Sequence, residues 1–292
     1  MGRRTLIAGL SALGCLSLMA PGAAAAKREP VDVSTRSVTA TAPVEGVLTA
    51  TATCPRKRKA IGGGWSTPPQ AGSVFVPTES ARLGDRRWRV GGYATTAGGP
   101  KVLTVEVYCA RLSGRVKTSL ASGSLGGTVL SDSSFAPTCP KRSRLMSGGF
   151  SFIGPDPITV LVYENALLPK IAPNAWSVSM LRGADSTSGG IRAFAYCLKR
   201  SRSGNSGPRK PRVLDATGQI PAPSLQSGSA MTPACPGRRR AISAGFSTPT
   251  PSGTQGGGLF RESRLVGDAA IASALQATDM TGTPLTAYVN CG

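Results

Sequence analysis

The feature that most constrains this chain is a motif that occurs three times, at intervals of about 85 to 96 residues, as expected of a repeat architecture. Each copy opens with Cys-Pro, continues with a basic run and two apolar residues, and ends in Gly, an aromatic residue and Ser. The copies align without a gap at residues 54–66, 139–151 and 235–247. The chain is therefore built from three related units.

Two further matches support the same repeat. A glutamate follows each opening cysteine after 25 to 27 residues, at Glu79, Glu164 and Glu262. Each repeat also closes with a segment in which apolar and polar residues alternate up to a second cysteine. Alternation with period two predicts a half-buried strand. These closing segments are residues 103–109, 191–197 and 285–291.

The first 26 residues have the pattern of an export signal peptide. Arg3 and Arg4 precede an uncharged apolar stretch, and Ala24 and Ala26 form an Ala-x-Ala cleavage site. The pattern predicts a secreted or cell-surface protein. Arg3-Arg4 also fits a minimal twin-arginine pattern and Cys15 a loose lipoprotein site, so the export route and lipidation stay open. Beyond residue 26 no apolar stretch is long enough to span a bilayer.

Six cysteines remain after this segment, and an even number in an exported chain indicates disulfides. The two cysteines of each repeat are 55, 58 and 56 residues apart, which favours one bond within each repeat. The absence of a Cys-x-x-Cys pattern argues against zinc or redox sites. The predicted bonds are Cys54–Cys109, Cys139–Cys197 and Cys235–Cys291.

The composition predicts an all-β fold. The 37 Gly and 23 Pro exceed a fifth of the chain, while aromatic residues are 5%, which favours short strands joined by many turns. We expect three tandem, disulfide-closed repeats of about four or five short antiparallel strands each. The predicted organisation is an export signal at 1–26, a polar lead-in at 27–37, repeat 1 at 38–111, repeat 2 at 112–198, a flexible basic linker at 199–212 and repeat 3 at 213–292.

Two arrangements of the repeats are open. The repeats could form small units in a row, which the Gly-, Ser- and Pro-rich linker at 199–212 favours. Alternatively, their sheets could pack about a pseudo-threefold axis as in a β-prism. Within repeat 1, the run Gly62–Gly64 predicts a bulge or a close approach of another backbone. Trp88 and Trp176, spaced with valines along a strand, are predicted to lie in the core.

The Cys-Pro opening that leads to Gly-Phe, together with the cysteine-closed strand, resembles the threefold sheets of vitelline-membrane outer-layer proteins. The resemblance covers a short stretch of each repeat and implies a fold of three related sheets. It implies no functional residue. The richness in Arg, Ala and Gly is typical of a secreted protein from a GC-rich bacterium.

The chain contains no histidine, which excludes Ser-His-Asp and Cys-His catalysis and every His-ligated metal site. Phosphate-loop and dinucleotide motifs are also missing from the sequence. The three equivalent glutamates favour a structural role, such as accepting turn N–H groups or pairing with Arg82 or Arg264, because catalysis needs one asymmetric site. We therefore predict no enzymatic activity, no cofactor and no metal site.

The basic runs recur at one position in each repeat, and the formal net charge is +20. Periodic cationic patches suit an anionic polymer such as nucleic acid, teichoic acid or an acidic glycan. We predict a secreted, non-catalytic binding or cell-envelope protein whose basic strands contact such a polymer. The alternative is a structural or protein-interaction module of the extracellular space without a polyanion ligand, whose charges keep strand edges solvated. The predicted binding residues are Arg56, Lys57, Arg58, Lys59, Lys141, Arg142, Arg144, Arg238, Arg239 and Arg240.

Overall fold

A computed structural model describes most of the chain after the predicted signal. The predicted signal peptide, residues 27–31 of the lead-in and residues 200–211 of the linker lie outside it. No helix among the described residues is long and apolar enough to cross a membrane. The described residues are 32–42, 45–68, 74–95, 101–112, 114–125, 132–154, 160–167, 174–182, 189–199, 212–222, 226–249, 258–276 and 282–292.

Each repeat contributes six strands, more than the sequence predicts. Repeat 1 forms β1 (Val33–Ala42), β2 (Gly46–Thr53), β3 (Lys59–Ser66), β4 (Phe75–Leu83), β5 (Arg87–Ala94) and β6 (Lys101–Ala110). Repeat 2 forms β7 (Val116–Ser124), β8 (Asp132–Phe135), β9 (Ser143–Ile153), β10 (Val160–Ala166), β11 (Ser177–Arg182) and β12 (Gly190–Lys199). Repeat 3 forms β13 (Arg212–Ile220), β14 (Ser227–Met231), β15 (Ala241–Ser247), β16 (Gly258–Val266), β17 (Ala269–Gln276) and β18 (Thr283–Cys291). β1 begins at Val33, within the segment predicted as a polar lead-in at 27–37.

The strands form three six-stranded antiparallel sheets, and each sheet takes three strands from each of two repeats. Sheet A has the order β1-β6-β3-β16-β17-β14, sheet B β2-β5-β4-β9-β12-β7, and sheet C β13-β18-β15-β10-β11-β8. The buried apolar residues of all three repeats form one cluster. The all-β fold is confirmed, and of the two arrangements left open the packed, pseudo-threefold one agrees with this strand order. Units in a row would not share sheets.

The motifs that repeat in the sequence lie where the repeats join. The serine that ends each opening motif pairs with the glutamate of another repeat, and the glutamate follows a register shift in its strand. The three pairs are Ser66 with Glu262, Ser151 with Glu79, and Ser247 with Glu164. These three seams, each joining two repeats, are related by the pseudo-threefold symmetry.

The strands β3, β9 and β15 surround the axis and run in the same direction. Near their ends the Trp65 ring lies edge-on to Phe246 and Phe150, with ring centroids 5.7 and 6.4 Å apart. Three residues before the aromatic residue, a serine of one strand donates to a carbonyl oxygen of the next strand: Ser147 to Ile61 O and Ser243 to Met146 O. The strands contact one another both at the aromatic rings and at the serine hydrogen bonds, so all three lie along the axis.

Glycine replaces this serine in repeat 1. A Cβ at Gly62 would lie 2.8 Å from Ile242 O, and one at Gly63 would lie 2.3 Å from Trp88 Cδ1. The pairing with β6 also shifts between Ala60 and Gly62. Both expectations for this run, a bulge and a close approach, are confirmed.

The three predicted disulfides are confirmed, each with its Cα atoms 5.6 Å apart. Trp88 and Trp176 are both 1% exposed, as predicted. Their indole N–H groups donate to Ser80 Oγ at 3.1 Å and to Asn165 Oδ1 at 2.6 Å, in equivalent positions of repeats 1 and 2. Each repeat is thus closed covalently, while the seams between repeats are held by packing and hydrogen bonds.

Candidate functional site: a basic pole

One end of the prism gathers the cationic residues. Because β3, β9 and β15 run in the same direction, the Cys-Pro turns that precede them lie at one end. The antiparallel neighbours β6, β12 and β18 finish at this end, and β1, β7 and β13 begin there. We define the basic pole as the turns 54–58, 139–142 and 235–240 together with the strand ends beside them.

Most residues of the basic runs lie in turns and not in strands. Among the predicted binding residues, only Lys59 and Arg144 lie in strands. In each repeat a backbone N–H donates to the carbonyl of the proline after the cysteine, as Arg58 does to Pro55 at 3.2 Å. A residue with positive φ completes the turn: Lys57 at 67°, Arg142 at 65° and Gly237 at 64°. Extended structure begins only afterwards, at Lys59, Ser143 and Ala241.

An aspartate or asparagine anchors each turn from a neighbouring hairpin. In repeat 3, Cys235 N donates to Asp268 O at 2.8 Å and Ala241 N donates to Asp268 Oδ1 at 3.2 Å. Asn174 holds repeat 2 in the same way through Cys139 N and Leu145 N. The turns are therefore fixed platforms for the side chains that they carry.

Four of the predicted binding residues are engaged within the protein. Arg58 pairs with the Asp32 carboxylate at 2.7 Å, and Lys59 donates to Gly114 O at 3.0 Å. Arg239 donates to Cys291 O at 3.3 Å, and Arg240 pairs with Asp268 at 2.6 Å. These side chains hold the pole together, which leaves them less available to a ligand.

Five predicted residues remain exposed and form no hydrogen bond or ion pair within the described part of the chain. The pseudo-symmetry brings them to one end of the molecule, whereas Arg144 is half-buried. The five exposed residues are Arg56, Lys57, Lys141, Arg142 and Arg238.

Sequence reasoning missed a second set of exposed cations, at the strand ends of the same pole. The disulfides were a usable signal, because each closing cysteine lies beside a turn and a cation follows two residues later in repeats 1 and 2. The missed residues are Arg86, Arg87, Arg111, Arg115, Lys117, Lys199 and Arg212. Lys199 and Arg212 also flank the undescribed linker.

Carboxylates compensate little of this charge. Among the described residues, those at the pole are Asp32, Asp85 and Asp268, and each already pairs with an arginine. A large positive potential therefore remains at this end.

The three repeated glutamates lie in different sheets and do not form a common site. Glu262 pairs with Arg264 at 2.6 Å, as predicted. Glu79 pairs with Arg89 at 2.7 Å and not with Arg82, because Arg82 reaches Asp85. Glu164 accepts a hydrogen bond from Ser179 at 3.4 Å. Each glutamate directly follows the register shift at its seam.

Arg264 also faces a second carboxylate, Glu106, at 3.8 Å. Burial raises the pKa of Glu106 above its usual value, and the charge of Arg264 opposes this shift. The described residues contain no group of three or more His, Cys, Asp or Glu side chains that could hold a metal ion. The carboxylates Glu106 and Glu262 and the guanidinium of Arg264 form a half-buried ion-pair network in sheet A.

Comparison with known proteins adds no assignment: no protein-family model and no curated protein matches the chain.

Proposed function

We propose that this protein is an exported, non-catalytic protein that binds an anionic polymer through its basic pole. The polymer carries closely spaced phosphate or sulfate groups, such as an anionic polymer of the producing cell's own envelope. The planar guanidinium group suits these oxygens, and arginine predominates among the repeated basic runs.

One observation carries the proposal: three equivalent turns present their cations at the same end of the molecule. Scattered surface charge would serve solubility equally well without this arrangement. Disulfides in all three repeats support an oxidising, extracellular location, as the N-terminal segment does. If the signal is cleaved as proposed, the N-terminus of the exported protein is Lys27, which terminal sequencing checks.

The test is retention of non-reduced protein on heparin, teichoic-acid and DNA supports across a salt gradient. Binding by charge requires retention to high salt, falling steeply as salt increases. The decisive variant replaces the five exposed turn residues, Arg56, Lys57, Lys141, Arg142 and Arg238, by Ser. It spares Arg58 and Arg240, whose ion pairs stabilise the turns.

A matched pair of variants separates position from net charge. Lys141→Ser with Arg142→Ser removes two charges at the pole, and Arg36→Ser with Arg192→Ser removes two exposed charges elsewhere. We expect the first pair to elute at lower salt than the second. Equal elution, or early elution of the parent protein, would overturn the proposal and favour a structural or protein-interaction module.

A further inference from the structure

The three parts of the basic pole are equivalent in backbone but not in charge. Val33 pairs with Ala110 and Val116 pairs with Leu198, and both partners directly follow a closing cysteine. The residues before these valines are therefore equivalent across repeats 1 and 2. Repeat 1 has Asp32 at this position, whereas repeat 2 has Arg115.

At the basic pole, repeat 2 places exposed cations at the ends of three adjoining strands. Lys199 pairs with Ser143, directly after the turn, and its N–H lies 3.5 Å from Arg115 O on the next strand. Two strand spacings, about 10 Å, separate β9 from β7. The group comprises Arg115, Lys117, Lys141, Arg142 and Lys199, all exposed and without a carboxylate partner among the described residues. We call it the repeat 2 ledge.

The junction of repeats 3 and 1 at the same pole is different. Asp32 and Asp268 line a cleft of about 490 Å³ there, together with Arg240 and the apolar side chain of Leu265. Arg58 and Arg240 neutralise the two carboxylates. An approaching phosphate or sulfate meets two acidic side chains at this junction and none on the ledge.

We infer that the polymer binds along the repeat 2 ledge, at one side of the pole, and not across the threefold axis. This inference rests on the proposed function. It assigns Arg115, Lys117 and Lys199 as binding residues, and it gives the turns of repeats 1 and 3 a minor part.

The experiment compares two triple variants that remove the same charge. The first variant removes the three cations at the strand ends of the ledge, by Arg115→Ser, Lys117→Ser and Lys199→Ser. The second variant removes three exposed cations of repeat 1, by Arg56→Ser, Lys57→Ser and Arg111→Ser. Binding of each to a short DNA duplex and to heparin is measured against salt. The plot of log K against log salt has a negative slope, and each lost phosphate contact reduces the magnitude of that slope by about 0.9.

For the ledge variant on duplex DNA, we expect the magnitude of this slope to decrease by about 2.7. We expect its affinity for the duplex near 0.15 M salt to fall on the order of 100-fold. For the repeat 1 variant we expect a slope change below about 1. Equal losses, or a larger loss from the repeat 1 variant, would overturn the one-sided site but leave polyanion binding standing. Salt-insensitive or absent binding of the parent protein would instead refute the proposed function.

A second variant covers the case in which the ledge variant does not fold. Arg115→Asp gives repeat 2 the residue that repeat 1 has at this position. We expect it to weaken binding more than Arg111→Asp, which makes the same charge change in repeat 1. Thermal unfolding of the non-reduced proteins checks that both variants are folded. Equal weakening by the two variants contradicts the one-sided site.

Discussion

The axis and the basic pole follow the pseudo-threefold symmetry to different degrees. At the axis, the three seams repeat the same Ser–Glu pair, and the Trp65 ring of repeat 1 contacts the equivalent aromatic rings of the other two repeats. At the pole, equivalent positions carry opposite charges, as Asp32 and Arg115 do.

The difference shows what the repeat has to preserve. A side chain at the axis has neighbours from two other repeats, so a change in its volume disturbs all three. A side chain at the pole faces water and can change its charge at little cost in stability. Positions at which the three repeats carry different residues therefore indicate where the repeats differ in function.

The largest effect is expected for Trp65→Ala, because it removes the largest ring at the axis. We expect a loss of about 5 kcal/mol in the free energy of unfolding, measured by denaturant titration. Arg56→Ser at the pole should change it by less than about 0.5 kcal/mol. Similar losses for the two variants would contradict the contrast between the regions.

The next effect tests whether the three repeats are equally constrained. Replacing both cysteines of one disulfide by Ser should cost about 4 kcal/mol in the chain-entropy description, and nearly the same in each repeat. The reason is that the bonds close loops of similar length, 55, 58 and 56 residues. Calorimetry of the three double variants measures the three losses of stability. Clearly unequal losses would show that the repeats differ in stability although their geometry is similar.

A smaller effect distinguishes two glutamates at equivalent seams. Glu262→Gln removes the negative charge that pairs with Arg264 at 2.6 Å and leaves Glu106 at 3.8 Å as the carboxylate that faces this arginine. It should cost about 1 kcal/mol. Glu164→Gln keeps an acceptor for Ser179 and should cost less than about 0.5 kcal/mol. Denaturant midpoints of the two variants give the comparison. An equal cost would mean that the arginine adds nothing to the seam.

The smallest effect concerns pH. Burial raises the pKa of Glu106 in the folded state, so the folded protein holds this proton more firmly than the unfolded chain. Its contribution to stability is complete below the ordinary value of 4.5 and is lost as pH rises through the raised pKa. Glu106→Gln should therefore gain stability relative to the parent as pH rises from 4.5 through the raised pKa, as measured by thermal unfolding at a series of pH values. A constant difference between the two proteins would contradict the shift.

The sequence was informative wherever a pattern was local. Cysteine spacing predicted all three disulfides, and the Gly62–Gly64 run predicted the close approach of another backbone, which the structure shows at Ile242 O. The sequence did not predict the seams. The pairing of Ser66 with Glu262 joins repeats 1 and 3, and no local sequence pattern encodes that register. The turns were not predicted because Lys57 and Arg142 adopt positive φ although they are not glycine. Only the third copy has a glycine, Gly237, at this position, which is the one local sign of a turn.

The seam between the first and last repeats also has a kinetic consequence. The Thr67 hydroxyl donates to Arg261 O across 194 residues. Among the described residues no disulfide joins repeat 1 to repeat 3, and the Cys139–Cys197 bond bypasses only the 58 residues between its own cysteines. Long-range pairing slows folding, so the closing of sheets A and C must await repeat 3. Sheet B, which consists of strands from repeats 1 and 2, can assemble before the last third of the chain emerges. The sheet that carries the repeat 2 ledge is therefore the one expected to form first.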